Sequence, residues 1–284
     1  MILVTGAGGT VGSEVVQQLQ RAGAKFRVAH HSQKKAADAR ARGLDAVVID
    51  YDDPESVRAG LDGVERMFLL NAGAGNQAEQ EINAVNAAKA AGVRHIVKLS
   101  VWGADSEAFS FAKVHRPAER AIEASGLAWT FLRPNGFMQN MANYMAGTIK
   151  SQGAFYSSVG DARISHIDVR DIAAVAVKTL TEDGHEGKAY SLSGPEALTY
   201  GDIAAKIAAA VGREVRYVAI SDDDLRAAAV GAGTPEPYAD ALIDLNRYYR
   251  TGAAAEVTGE VRRITGRDPI AFEQYARDYA EAFR

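Results

Sequence analysis

Ile2-Leu3-Val4-Thr5-Gly6-Ala7-Gly8-Gly9-Thr10-Val11-Gly12 stands at the start of the chain and decides its fold. Residues 2–5 have the length and branching of a buried strand, and Val11, Val15, Val16 and Leu19 then recur at helical spacing. Between strand and helix, Gly6, Gly9 and Gly12 follow a Gly-x-x-Gly-x-x-Gly pattern. Lacking side chains, the first two let a turn close and let backbone N–H groups approach a pyrophosphate. The helix N-terminus adds its partial positive charge, and Gly12 lets helix and strand pack closely. Glycines alone would read as a tight turn. In the order strand, loop, helix they read as a dinucleotide-binding loop, with Gly6, Gly8, Gly9, Thr10, Val11 and Gly12 as the expected contacts.

The same alternation continues outward from this motif. Apolar runs at residues 26–30, 46–49, 67–70, 95–100 and 129–133 predict strands, and residues 34–42, 54–61, 77–91 and 113–124 predict the helices between them. Asp53 before Pro54 is a helix start signal, an acid at the cap and proline in the first turn. This order implies an α/β, Rossmann-type doubly wound parallel sheet covered on both faces. After Pro134 the pattern loosens: residues 134–149 carry no charge and mix Phe137, Met138, Met141, Tyr144 and Met145 with amides. Helices are expected at 168–181, 199–211, 221–232, 238–249 and 271–283, with a strand at 189–193. The expected organisation is an NAD(P)-binding domain at 1–135, completed by about 165–181, and a smaller C-terminal α/β substrate-binding part from 136–164 and 182–284.

Composition narrows the class. The chain has 284 residues, 47% hydrophobic and 24% charged, the balance of an ordinary globular protein. Lys+Arg 32 against Asp+Glu 36 leaves −4, without the basic excess of a nucleic-acid binder. The absence of cysteine removes disulfides, thiolate nucleophiles and Cys-based zinc sites, and fits a reducing compartment. No run approaches the ~18–20 apolar residues of a membrane span, and the opening residues lack the basic region of a signal peptide. A cytoplasmic protein, monomeric or homodimeric, with no nucleic-acid or membrane partner and no metal, is expected. Tyr-x-x-x-Lys, Gly-x-Ser-x-Gly and His-Glu-x-x-His are all missing, which takes away the usual signatures of typical short-chain dehydrogenase, α/β-hydrolase and zincin chemistry.

The end of the second strand bears on the cofactor. A ribose 2′-OH is usually held there by Asp or Glu, and a 2′-phosphate by cations. This chain has Ala29-His30-His31-Ser32-Gln33-Lys34-Lys35 and no acid before Asp38, so NADP(H) is preferred and NAD(H) remains possible. Lys34 and Lys35 read alternatively as a solvated helix start. Asp50, with Tyr51 beside it, reads as an acceptor for the adenine amino group or as a helix-capping acid.

Several ordered segments together resemble the NmrA-like branch of atypical short-chain dehydrogenases. They are Val4–Gly12; Asp50-Tyr51-Asp52-Asp53-Pro54-Glu55-Ser56; Ala91-Gly92-Val93-Arg94-His95-Ile96-Val97; Ser125-Gly126-Leu127-Ala128-Trp129-Thr130-Phe131-Leu132-Arg133-Pro134; Ile167-Asp168-Val169-Arg170-Asp171-Ile172-Ala173; and Tyr190-Ser191-Leu192-Ser193-Gly194-Pro195-Glu196-Ala197-Leu198-Thr199. Within the branch the chain is similar to the bacterial reductases of azo dyes, triphenylmethane dyes and quinones. The resemblance implies an NADPH-dependent oxidoreductase that transfers hydride to a planar aromatic acceptor, with the nicotinamide beneath the segments after strands four, five and six. It implies a histidine on the helix after strand five followed four residues later by glutamate; His115 and Glu119 occupy those positions, one turn apart. His31 stands where many relatives carry a phosphate-binding arginine. The branch also contains non-catalytic redox sensors, the alternative function.

The remaining candidates follow from position at the carboxyl edge of the sheet. Asn71, Ala72 and Gly73 after strand four, and Pro134, Asn135 and Gly136 after strand six, are expected to touch the cofactor. Ser100 joins His115 and Glu119 as a catalytic candidate, and reads equally as a cap. His115 is expected to position substrate, steadied by Glu119. Trp102, Phe137, Met138, Met141 and Tyr144 would suit a flat aromatic substrate, or else form core.

Overall fold

The structure, a computed structural model, describes residues 1–71 and 75–284. The chain runs β1 (Ile2–Val4), α1 (Thr10–Arg21), β2 (Phe26–His30), α2 (Gln33–Ala41), β3 (Ala46–Val48), α3 (Pro54–Gly60), β4 (Arg66–Leu69), α4 (Gln77–Ala90), β5 (His95–Leu99), α5 (Ser110–Ser125) and β6 (Ala128–Pro134). It continues through α6 (Ala146–Gln152), β7 (Ala154–Ser157), α7 (Val169–Thr181), β8 (Lys188–Leu192), α8 (Tyr200–Val211), β9 (Arg216–Ala219), α9 (Asp222–Gly231), α10 (Glu236–Arg250), α11 (Glu260–Thr265), α12 (Phe272–Asp278) and α13 (Ala280–Phe283).

A seven-stranded parallel sheet in the order β3-β2-β1-β4-β5-β6-β8 carries helices on its faces, a doubly wound α/β fold. Its strands are short and apolar because both faces are covered: Leu3, Val4, Met67, Phe68, Leu69, Ile96 and Val97 are all buried. The strand order reverses between β1 and β4, where ligands bind in such sheets. Helix α1 buries Val11, Val15, Val16 and Leu19, the stripe its spacing predicts.

Two compact units divide the chain. The first comprises Met1–Asp105, Ala112–Arg133 and Val169–Ser191; the second comprises Ser106–Phe111, Pro134–Asp168 and Leu192–Arg284. Residues 182–191, assigned from sequence to the smaller part, fall in the first unit because β8 extends the sheet beside β6. The second unit has its own core, including Met138, Met141, Phe155, Ile203, Phe272 and Tyr275, and its own two-stranded parallel sheet of β7 and β9. Neither strand is among those the sequence predicts, each being only four residues long. The uncharged stretch after Pro134 folds into a π-helical turn at Met141–Met145 and then α6. Helix α8 starts with a capping box, Thr199 and Asp202 each accepting the other's backbone N–H at 3.0 Å. Among the described residues, no helix is long and apolar enough to cross a membrane.

Candidate functional site

The glycine loop is held from both sides. Thr5 Oγ1 donates to the Phe68 and Leu70 carbonyls (3.0 Å each) and accepts from the Leu70 N–H (2.8 Å), pinning the end of β1 to that of β4. Gly6 has φ +63°, and a Cβ there would lie 2.7 Å from the Leu70 side chain. A Cβ on Gly12 would lie 2.1 Å from the Gly6 carbonyl oxygen, so helix and loop can touch only through glycine. Gly9 differs: its φ is −88° and a Cβ would meet only the Gly6 carbonyl at 3.4 Å. Nothing in the protein itself requires glycine there, as expected of a position kept bare for a ligand. Gly9 caps α1 without a side-chain bond, and the first turn holds no acid. The N–H groups of that turn are thus available to an anion. These features fit a dinucleotide pyrophosphate.

Beside Gly8 lies a pocket lined by Ala7, Ser13, Gln17, His30 and Arg42, among others. Arg42 was not singled out in the sequence. Burial, and then the charges of Lys35 and Arg42, push the His30 imidazole down from its ordinary range. Lys34 and Lys35 are exposed at the start of α2, where Ser32 Oγ caps the Lys35 N–H at 3.5 Å. His31 is also exposed, its Nδ1 3.9 Å from Asp50 Oδ1. Asp50 spends that same oxygen on a turn, accepting the Asp52 N–H at 3.0 Å. Tyr51 packs on the core with its hydroxyl buried, which pushes its phenol well above the usual range. Asn71 Nδ2 donates to Gln80 Oε1 at 2.9 Å; Ala72 and Gly73 lie outside the described residues.

At the carboxyl end of β5, Ser100 Oγ is buried with no hydrogen-bond partner among the described residues, while its N–H donates to the Leu132 carbonyl at 2.7 Å. Trp102 is buried just beyond it. His115, on α5, is partly exposed, and the expected pairing with Glu119 is not there. Glu119 is wholly buried and grips Arg133 at both oxygens (3.0 and 2.8 Å), with Arg116 Nη1 adding a third bond at 2.9 Å. A buried carboxylate is captured by guanidinium forks sooner than by an imidazole, because bidentate pairing compensates its lost hydration. Glu119 is therefore a structural anchor between α5 and β6.

The partner of His115 is instead Lys98. Its Nζ lies 3.2 Å from His115 Nδ1 and 2.6 Å from Glu81 Oε2, and both Lys98 and Glu81 are wholly buried. Gln77 Nε2 stands 3.5 Å from the same imidazole nitrogen and 3.4 Å from Glu81 Oε1. Burial and then the Lys98 charge hold the His115 imidazole well below its ordinary range. The signal for this network was visible in sequence: a lysine inside the apolar strand His95-Ile96-Val97-Lys98-Leu99 must find a buried partner.

The second unit corrects further expectations. Met138 and Met141 are each 1% exposed and belong to that unit's core, so they are not pocket walls. Asn135 is buried, its Nδ2 donating to Ser165 Oγ (2.9 Å) and the Ala254 carbonyl (2.8 Å), its Oδ1 accepting the Gly136 N–H (2.9 Å). Both hydrogens of its amide are engaged in structure, leaving no side-chain donor for a cofactor. Phe137 is half-buried, and Tyr144 on the π-helical turn is 75% exposed. Pro134 ends β6.

A family model described as the NmrA-like family matches residues 1–272. The chain is 39% identical over 284 residues to an NAD(P)H azoreductase of Xenophilus azovorans, covering 100% of this chain and 99% of that protein. It is 39% identical over 286 residues to a (4-alkanoyl-5-oxo-2,5-dihydrofuran-3-yl)methyl phosphate reductase of Streptomyces griseus, again covering 100% and 99%. Among solved structures, an NADPH-dependent quinone oxidoreductase from Escherichia coli, complexed with NADPH, superposes with a TM-score of 0.90 at 30% identity, over 98% of this chain and 99% of that one. Sheet order, glycine loop and full-length likeness agree: this chain belongs to the NmrA-like family.

Proposed function

We propose that the protein is an NADPH-dependent reductase of planar, electron-poor acceptors such as quinones, azo compounds or related dyes. The observation that carries this reading is the cradle at the start of α1: Gly6 at φ +63°, Gly9 bare without structural need, and first-turn N–H groups with no acid beside them. The azo- and quinone-reducing relatives support the acceptor class. NADPH, when bound, supplies the hydride. The chain's own part is to bind, orient and keep the site dry. Lys34 and Lys35 are the first lysines or arginines after the end of β2, where a 2′-phosphate is read, with His31 and the Asn71 backbone as further contacts. Ser100 Oγ and His115 Nε2 have no hydrogen-bond partner among the described residues, and they are the groups that would orient an acceptor.

The test is direct. NADPH absorbance at fixed protein should fall when menadione or an azo dye is added, with saturation in the acceptor. Stable NADPH binding without turnover across such a panel would leave a sensor in place of an enzyme.

A further inference from the structure

Lys98 has a consequence that reaches beyond holding β5 to α4. An ammonium carries only donors, and so does the amide nitrogen of Gln77, whose orientation is set by its bond to the Glu81 carboxylate. Both face His115 Nδ1, at 3.2 and 3.5 Å. Among the described residues, Glu81 in turn is met by donors: Lys98 Nζ, Gln77 Nε2 and the backbone N–H of Asn71. Burial pushes the Glu81 carboxyl up, while the Lys98, Gln77 and Asn71 donors gathered on it favour its charged form; the 2.6 Å contact with Lys98 Nζ is read as a carboxylate–ammonium pair.

We propose that Lys98 is a positioning residue that locks His115 in its neutral, Nε2-protonated tautomer, so that the nitrogen left free presents a fixed N–H donor to the acceptor being reduced. Nδ1 can only accept from its two neighbours, and the proton is therefore on Nε2, which has no partner among the described residues. Protonating Nδ1 would set a second cation 3.2 Å from a buried ammonium. Of the groups facing the ring, β5 contributes Lys98 and α4 contributes Glu81 and Gln77, while the α5 charges Arg116 and Glu119 are engaged with each other and with Arg133. A donor of this kind polarises a quinone carbonyl or an azo nitrogen while hydride arrives, without giving up its proton. The proton that completes reduction comes from water.

This inference rests on the reading that His115 faces the acceptor, and its test separates the two. Protein labelled with nitrogen-15 at histidine would be examined by long-range proton–nitrogen spectroscopy, with His115 assigned as the signal missing in His115→Gln. The expected spectrum shows a lone-pair Nδ1 and a protonated Nε2, unchanged from about pH 5.5 to 8, a range that spans the ordinary titration. An Nδ1-protonated ring, or an imidazolium near neutrality, would overturn the lock whatever the enzyme does. In Lys98→Met, or in Glu81→Gln/Lys98→Met if the single variant does not fold, the other tautomer or the imidazolium should appear near neutral pH. An unchanged ring signal in a folded variant would show that Lys98 is not what holds it. Kinetically, His115→Gln, whose amide restores a neutral donor, should keep kcat/KM within about threefold of wild type, a small loss beside the range of general acid catalysis. Collapse of that variant to the level of His115→Ala would overturn the donor role. A wild-type rate in His115→Ala would instead remove His115 from the reaction, with the tautomer result standing apart.

Discussion

Two glycines of one motif serve different masters. Gly12 is required by the fold, since a methyl group there would lie 2.1 Å from the Gly6 carbonyl oxygen. Gly12→Ala should therefore destabilise the protein by several kcal/mol, the scale of a forced backbone shift (about 1–3 kcal/mol or more), read as a lower denaturant midpoint. Gly9 meets no such clash, a Cβ there finding only the Gly6 carbonyl oxygen at 3.4 Å, and on the proposed function it is kept bare for the cofactor. Gly9→Val should unfold at nearly the wild-type midpoint yet lose NADPH binding by calorimetry, because its side chain takes the space of the pyrophosphate. Normal NADPH affinity in folded Gly9→Val would remove the loop from the cofactor site. For His115, loss of an orienting donor predicts a fall in kcat/KM of roughly ten- to a hundredfold in His115→Ala, below the full 10²–10⁴ of general acid catalysis, with NADPH affinity unchanged. The identity of its neighbour was not legible one residue at a time. Helical spacing offers Glu119, but a carboxylate goes where burial makes pairing most profitable, and that was Arg133.

At the scale of elements, charged side chains inside the sheet bind strands to helices. Lys98 of β5 joins Glu81 of α4, and Arg133 of β6 joins Glu119 of α5 and Asp105 (2.9 Å). Removing one partner of such a pair strands the other charge out of water, at a cost of about 3–5 kcal/mol. Lys98→Ala should lose stability on that scale, and Glu81→Gln/Lys98→Met should recover much of it, as a denaturation cycle over the single and double variants would show. A negligible loss in Lys98→Ala would mean the pair is solvated. On the proposed function, helix α2 carries the choice of cofactor. A 2′-phosphate reached by Lys34 and Lys35 gains charge-assisted contacts worth on the order of 1–3 kcal/mol. NADPH should accordingly bind more tightly than NADH, and Lys34→Ala/Lys35→Ala should weaken NADPH alone. Equal affinities for the two cofactors in the wild-type protein would refute this.

The whole molecule has a signature in acid. Burial holds His95 and His166 down to about 4, and His115 lies well below its usual range. Unfolded, each binds a proton near pH 6.5; folded, not until well below that. Between those limits the unfolded chain holds more protons, so stability is complete above about pH 7 and falls as pH drops toward 4. The slope should reach roughly 1.4 kcal/mol per pH unit for each such histidine. Urea midpoints measured from pH 7 to pH 4.5 would follow this decline; a flat profile would mean that the three rings charge without loss of structure.

The alternation of short apolar runs with helical stripes was enough for the doubly wound sheet, and the glycine loop for its nucleotide edge, since both are written as local periodicity and local backbone need. Strands β7 and β9 escaped because four residues carry little periodicity and their pairing joins segments about sixty residues apart. The uncharged stretch after Pro134 could not be apportioned between core and pocket by composition. Which of its apolar residues point inward depends on a π-helical turn and on the helices that close over it, so Met138 and Met141 became core while Tyr144 stayed out. Likewise Lys98, Glu81 and His115 are far apart in sequence, and only the packing of α4 and α5 against β5 brings their charges together. Local patterns select the elements; which buried charge meets which partner is settled by desolvation, and that acts only once the tertiary fold has excluded water.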